Sequence, residues 1–198
     1  MNYILPLPVN FLAAAMLAVS TEETRYYLNG VCIDPRGWLA ATDGHRCFYG
    51  KVESIPEGMT EVIIPRLHLA MVLKLKPKRI ELVLEDGRYS LKTPSGDYPF
   101  TPVDGIFPDW QRIIPANDGD REPGHYNPDY VLDIGKTASL IKHGKVLKDA
   151  KVRFNIIQRG NNPAPVIFPG EGGVRMDCGL VIMPIRQFDE EYRSPLAA

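Results

Sequence analysis

One arrangement recurs along this chain: a short apolar run, a stretch with helical spacing, then runs in which apolar and polar residues alternate. It appears first as "YILPL", "NFLAAAMLAVS", "YYLNGVCI", "WLAAT" and "RCFYGKV". It returns as "TEVIIP", "RLHLAMVLKLK", "RIELVLED", "RYSLKTP" and "YPFTPV", and again as "YVLDI", "KTASLIKHGKVL", "KVRFNIIQ", "APVIF" and "VRMDCGLVIMPI". Alternation with period 2 predicts strands, and apolar spacing near 3.6 predicts helices. Asn10 is the expected cap of the first helix, after a strand over Tyr3 to Leu5. The units repeat in pattern rather than identity. A strand, a helix and hairpins in each unit predict an α+β fold, with antiparallel sheets and helices on one face.

The stretch "PANDGDREPGHYNP", Pro115 to Pro128, is polar and rich in Pro and Gly, and is the best boundary between parts. The division is residues 1–117, then 126–188, with a tail over 189–198. The apolar start "MNYILPLPVNFLAAAMLAVS" carries no Lys or Arg before Arg25 and is broken by Pro6 and Pro8, unlike a secretory leader. No run approaches the length of a membrane span. Cys32, Cys47 and Cys178 are too few and too scattered for a disulfide framework, which points to a reducing compartment.

"ATDGHRCF", Ala41 to Phe48, packs an acid, a histidine, an arginine and a cysteine around one glycine. Asp43, His45 and Cys47 name the parts of a hydrolase, yet triads assemble from distant segments, and alternating strand residues do not converge on one substrate. Asp43-Gly44 between alternating runs is a hairpin signal, because glycine accepts the positive φ such turns require. His68, His125 and His143 stand without zinc-ligand spacing. "IGKT" resembles the end of a phosphate-binding loop, but Tyr130 stands where its first glycine belongs. "PGEGG" has neither the lysine nor the strand-to-helix setting. The net charge of −1 leaves room for local asymmetry: Lys142, Lys145 and Lys148 would form one cationic stripe on a helix, loosened by Gly144, and Lys74, Lys76, Lys78 and Arg79 form a second cluster. Such clusters suit phosphate-backbone contact without base reading.

Five segments, in order, resemble bacterial replicative sliding clamps, the β subunit of DNA polymerase III: "TRYYLNGVCI", "LAATDGHRCF", "VIIPR", "DGIFPDWQRIIP" and "LVIMPIR". The first four resemble the clamp's middle domain and the last its C-terminal end. The resemblance implies one full clamp domain plus a smaller partial one, with a single repeat unit where the family's last domain has two. It also implies that the "TDGHR" turn is a wall of a groove that binds short linear peptides. Carried over by motif, that groove comprises Arg25 and Leu28; Thr42, Gly44, His45, Arg46 and Cys47; Pro108, Arg112 and Ile113; and Val181, Ile182, Met183, Pro184, Ile185 and Arg186. Apolar Ile, Met and Pro would supply a slot, and Arg and His the donors at its rim.

The family's role makes the expected activity non-enzymatic, with no cofactor, metal or membrane, in the cytoplasm. The expected partners are duplex DNA held without sequence preference, a DNA polymerase and other proteins bearing clamp-binding motifs, a clamp loader, and further copies of the chain. The alternative is a clamp-fold decoy or adaptor that keeps the groove but does not encircle DNA. Phe11 to Val19 contains no basic residue, unlike clamp helices that face DNA.

Overall fold

The computed structural model describes residues 2–115, 122–148, 151–170 and 175–185, with backbone only at positions 175 and 176. Among these residues the strands are β1 (Tyr3–Leu7), β2 (Gly30–Asp34), β3 (Trp38–Thr42), β4 (Arg46–Lys51), β5 (Val62–Pro65), β6 (Ile80–Glu85), β7 (Arg88–Thr93), β8 (Gly96–Phe100), β9 (Asn155–Ile156), β10 (Ala164–Pro169) and β11 (Arg175–Ile182). The helices are α1 (Val9–Ala15), α2 (Arg66–Lys74) and α3 (Pro128–His143). The strands form a four-stranded sheet, β1-β6-β7-β8, and a seven-stranded sheet, β5-β2-β3-β4-β11-β10-β9. Neighbours in both sheets pair antiparallel.

The four-stranded sheet buries one face. Leu5, Leu82 and Leu91 lie in register and are fully buried, while Ile4 and Pro6 face outward. The seven-stranded sheet buries both faces around its middle. Val31, Ile33, Leu39, Ala41, Phe48, Leu180 and Ile182 join the main core with residues of the helices. Their alternates Cys32, Ala40, Cys47, Tyr49 and Val181 join a second cluster on the opposite face. That face is covered by the segment after β8, which contributes Val103, Phe107, Trp110, Ile113 and Ile114. Two backbone anchors hold this cover: Val103 N–H donates to the Ile63 carbonyl at 3.0 Å, and Phe107 N–H to Glu61 Oε1 at 2.9 Å. Strands buried on both sides read as near-continuous apolar runs, as β2 does.

The join between β4 and β11 carries the third repeat unit onto the sheet of the first. Its register pairs Cys47 with Val181 and Arg46 with Ile182. α1 packs on both β4 and α3, so the main core runs through both parts of the chain.

Several local expectations are corrected. Asn10 is not the cap of α1: Pro8 occupies that position, its carbonyl accepting from Phe11 and Leu12 N–H at 3.0 Å. Asn10 sits in the first turn instead, its amide donating to the Ile141 carbonyl of α3 at 3.1 Å. "YVLDI" is helix rather than strand. Asn127 caps α3 through its side chain, which accepts from Asp129 N–H at 2.9 Å; Pro128 takes the first helical position, and Asp129 favours the positive helix end. α3 stops at Gly144, whose φ of 67° closes it in the left-handed region. Ser139 Oγ then donates to the Lys145 carbonyl and accepts from Leu147 N–H, turning the chain away. Lys142, Lys145 and Lys148 therefore do not share one helical stripe, although all three are exposed. Tyr26–Leu28 form a 3-10 turn before β2, and "KVRFNIIQ" pairs only over Asn155–Ile156.

Candidate functional site: a cavity where the first and third units meet

A cavity of about 240 Å³ opens at the edge of the second cluster. Leu28 and Thr42 come from β2's approach and the end of β3; Pro108, Trp110 and Ile113 come from the covering segment; Met183 arrives from the end of β11. Arg25, Gly44 and Arg46 line it as well. Four segments distant in sequence thus meet at one apolar hollow with a polar rim.

Each wall has a local cause. The β3–β4 turn is built on hydrogen bonds to its own side chains: Asp43 Oδ1 accepts from His45 N–H at 2.9 Å and Arg46 N–H at 3.0 Å. Thr42 Oγ1 accepts from Gly44 N–H at 3.0 Å and donates to the Arg46 carbonyl at 2.7 Å. Gly44 takes a φ of 91°, and a Cβ there would lie 2.4 Å from Arg25 Nη1, so only glycine lets the guanidinium lie against the turn. Arg25 is held from its other side by both carboxylate oxygens of Glu22, each at 2.8 Å. Met183 is seated by its N–H, which donates to the His45 carbonyl at 2.8 Å.

Trp110 stands in a 3-10 turn, Trp110–Ile113, and is stacked on Tyr49 with ring centres 5.4 Å apart and edge-on to Trp38 at 6.1 Å. Arg46 is the junction with α3. Its guanidinium pairs with Asp43 at 3.0 Å and with Asp133, and lies 4.8 Å over the Tyr130 ring; the His45 ring also stacks on Tyr130, with centres 6.2 Å apart. Burial would raise the Asp133 pKa, but hydrogen bonds from Lys136 and Arg46 outweigh it and hold the carboxyl below its ordinary value.

The sequence-derived groove residues fall into groups. Arg25, Leu28, Thr42, Gly44, Arg46, Pro108, Ile113 and Met183 line the cavity together. Cys47 and Val181 are fully buried in the cluster behind it. Ile182 does not face the cavity: strand alternation turns its side chain into the opposite core. His45 is exposed on the turn, and Arg112 projects into solvent beside Asp109, 3.0 Å away. Pro184 is half-buried, and the exposed Ile185 donates its N–H to the His125 carbonyl at 2.7 Å. Arg186 and the tail over 189–198 lie outside the described residues. Lys74, Lys76, Lys78 and Arg79 are exposed around the end of α2, away from the cavity.

Sequence reasoning missed Tyr27, Asp109 and Trp110 as lining residues, and Tyr130 and Asp133 as partners of Arg46. The last two become legible once α3 is recognised, because positions i and i+3 share a helix face. A hydrolase reading has no support in the geometry. Cys47 is fully buried and its thiol pKa is pushed up to about 12, by burial first and then by Asp43. Asp43 is spent on the turn. Among the described residues no three His, Cys, Asp or Glu side chains are placed to hold a metal, and no helix is long and apolar enough to cross a membrane.

Two unlike sheets flanked by helices, with an apolar cavity rather than a reactive cluster at the junction of repeat units, are the architecture of a DNA-clamp fold. Residues 9–109 match the family described as DNA polymerase III beta subunit, central domain, and the chain belongs to that family. The beta sliding clamp of Pseudomonas aeruginosa is 35% identical over 114 residues, and that of Escherichia coli K12 is 32% identical over 118. Each match covers 52% of this chain and 30% of the relative, so the chain spans under a third of the length of these relatives. Among solved structures, a sliding clamp from Bartonella birtlesii bound to griselimycin aligns with a TM-score of 0.70 at 23% identity, covering 94% of this chain and 66% of that one. A Bacillus subtilis sliding clamp aligns at 0.67 and 20% identity, over 94% of this chain and 65% of that one. These two likenesses establish the fold.

Proposed function

We propose that this chain is a non-enzymatic docking element of the replication machinery, which takes short linear peptides of a DNA polymerase and other clamp-binding proteins in the cavity between its first and third units. The observation that carries this reading is the convergence of Leu28, Thr42, Trp110 and Met183 on one apolar hollow with arginines at its rim. An extended peptide would lay apolar side chains into the hollow and offer carbonyls to the rim. Half-buried Met183 suits varied guests, because its unbranched side chain repacks at low cost. Fluorescence anisotropy with a labelled peptide carrying one glutamine and C-terminal apolar residues tests the reading. Saturable binding that disappears in Met183→Glu supports it; no binding at high micromolar concentration defeats it.

As a processivity factor the chain would also hold duplex DNA through phosphate contacts, with Lys142, Lys145, Lys148 and the cluster from Lys74 to Arg79 as the exposed cations, and would assemble with further copies to close a ring. The adaptor reading, in which DNA is not encircled, is favoured by one feature of α2. Its exposed face carries Leu67, Met71 and Leu75, a stripe at intervals of four residues that suits protein contact better than phosphate. Retention on circular DNA with release on linearisation decides for the ring, and a monomer by light scattering that still binds the peptide decides for the adaptor.

A further inference from the structure

We infer that Arg36 is the positioning residue of the cavity's outer lip, tying the end of β2 to the turn that carries Trp110; the inference rests on the peptide-docking reading above. Arg36 lies between β2 and β3, outside the cavity and outside every motif that marks the groove. Its guanidinium reaches two ways. Inward, Nε donates to both oxygens of Asp34 at 2.9 Å, and the Arg36 backbone N–H donates to Asp34 Oδ1 at 2.8 Å. Outward, Nη1 donates to Gln111 Oε1 at 3.0 Å and lies 3.7 Å from Asp109 Oδ1.

The two ends differ in what they anchor. The Asp34 side chain is 3% exposed and sits at the end of a fully buried strand, so it is a fixed point. Asp109 and Gln111 flank Trp110 on a surface turn held within itself by Trp110 N–H to the Pro108 carbonyl at 2.7 Å, Arg112 N–H to the Asp109 carbonyl at 3.3 Å, Ile114 N–H to the Gln111 carbonyl at 3.1 Å and the Arg112–Asp109 ion pair at 3.0 Å; none of these ties it to the sheet beneath. Burial would raise the Asp34 pKa, but the hydrogen bonds from Arg36 outweigh it and hold the carboxyl below its ordinary value; Trp110 Nε1, with no partner at hydrogen-bond distance, adds a smaller share. Packing on Tyr49 and Trp38 seats the indole, and the Arg36 fork ties the turn that carries it to the end of β2. A planar guanidinium can serve both ends at once; an ammonium is a point charge that serves one.

Arg36→Lys is the informative substitution, since it keeps the charge beside buried Asp34 while giving up the reach to Gln111 and Asp109. Peptide affinity is read by anisotropy, and lip position by Trp110 emission in a Trp38→Phe background, where Trp110 is the single tryptophan. Arg36→Lys should weaken peptide binding about fivefold, the scale of one ordinary hydrogen bond, and shift Trp110 emission to the red. Its melting temperature should stay close to that of the parent. Gln111→Ala should do the same more weakly, and the two substitutions together should cost less than their sum. Unchanged affinity and emission in Arg36→Lys overturn the inference, as does a loss of affinity that only follows a falling melting temperature. If the parent binds no peptide, the docking reading fails, and Trp110 emission still decides whether Arg36 places the lip.

Discussion

Gly44→Ala places one methyl group at the tightest point of the β3–β4 turn. Gly44 has a φ of 91°, a region that costs an L-residue about 1 kcal/mol. The added Cβ would also lie 2.4 Å from Arg25 Nη1, well inside contact distance. The obstacle is the far end of a flexible side chain, so Arg25 yields rather than the backbone. The stability loss is then mainly the backbone cost, a fall in Tm of about 2–4 °C for a chain of this size. Binding should suffer more than stability, because Arg25 leaves its place on the rim and the fork to Glu22 opens. Peptide affinity should drop about three- to tenfold, the scale of one rim hydrogen bond. Calorimetry and anisotropy on Gly44→Ala, Arg25→Ala and the double variant separate the two effects. With Arg25 already removed, Gly44→Ala should still lower Tm but add little to the loss of affinity. Full additivity in affinity, or a Gly44→Ala protein with unchanged Tm, would refute this account of the turn.

Further expectations concern charge and burial. Because the Asp133 pKa lies below the ordinary 3.8, its pairing with Arg46 and Lys136 stabilises the fold above that value and fades as pH falls through the lowered pKa. The Tm difference between the parent and Asp133→Asn should therefore hold from neutral pH to about pH 5, narrow as pH falls through the ordinary carboxylate value, and close only below the lowered pKa; a difference that widens on acidification contradicts the pairing. Cys47 should resist thiol reagents in the folded protein and react only on unfolding, and rapid labelling of the native state would contradict its burial. Replacing Lys142, Lys145 and Lys148 with alanine should weaken DNA binding equally for all sequences and flatten its salt dependence by roughly one unit of slope per lost phosphate contact. A sequence-selective loss would count against backbone contact.

The short apolar runs "GVCID" and "WLAAT", and the Asp43-Gly44 turn between β3 and β4, were legible in the residues themselves, because strand length between turn residues and positive φ are local demands. The α+β class followed from repeating that local grammar. The opening of α3 was also written locally, in Asn127, Pro128 and Asp129, but β-branched and apolar residues over "YVLDI" competed with it, and the cap prevailed once α3 packed on α1. What no local reading could supply is pairing across distance. That Arg46 stands opposite Ile182, that Trp110 is folded onto Tyr49, and that Asp133 meets Arg46 all depend on which faces are brought together. Alternation says that Ile182 and Met183 face opposite sides of a strand; only the β4–β11 register decides that Met183 is the one beside the cavity. The physical reason is that burial of apolar surface carries no direction, so the same strand can satisfy it against many partners, and the hydrogen-bonded register of the folded sheet selects one.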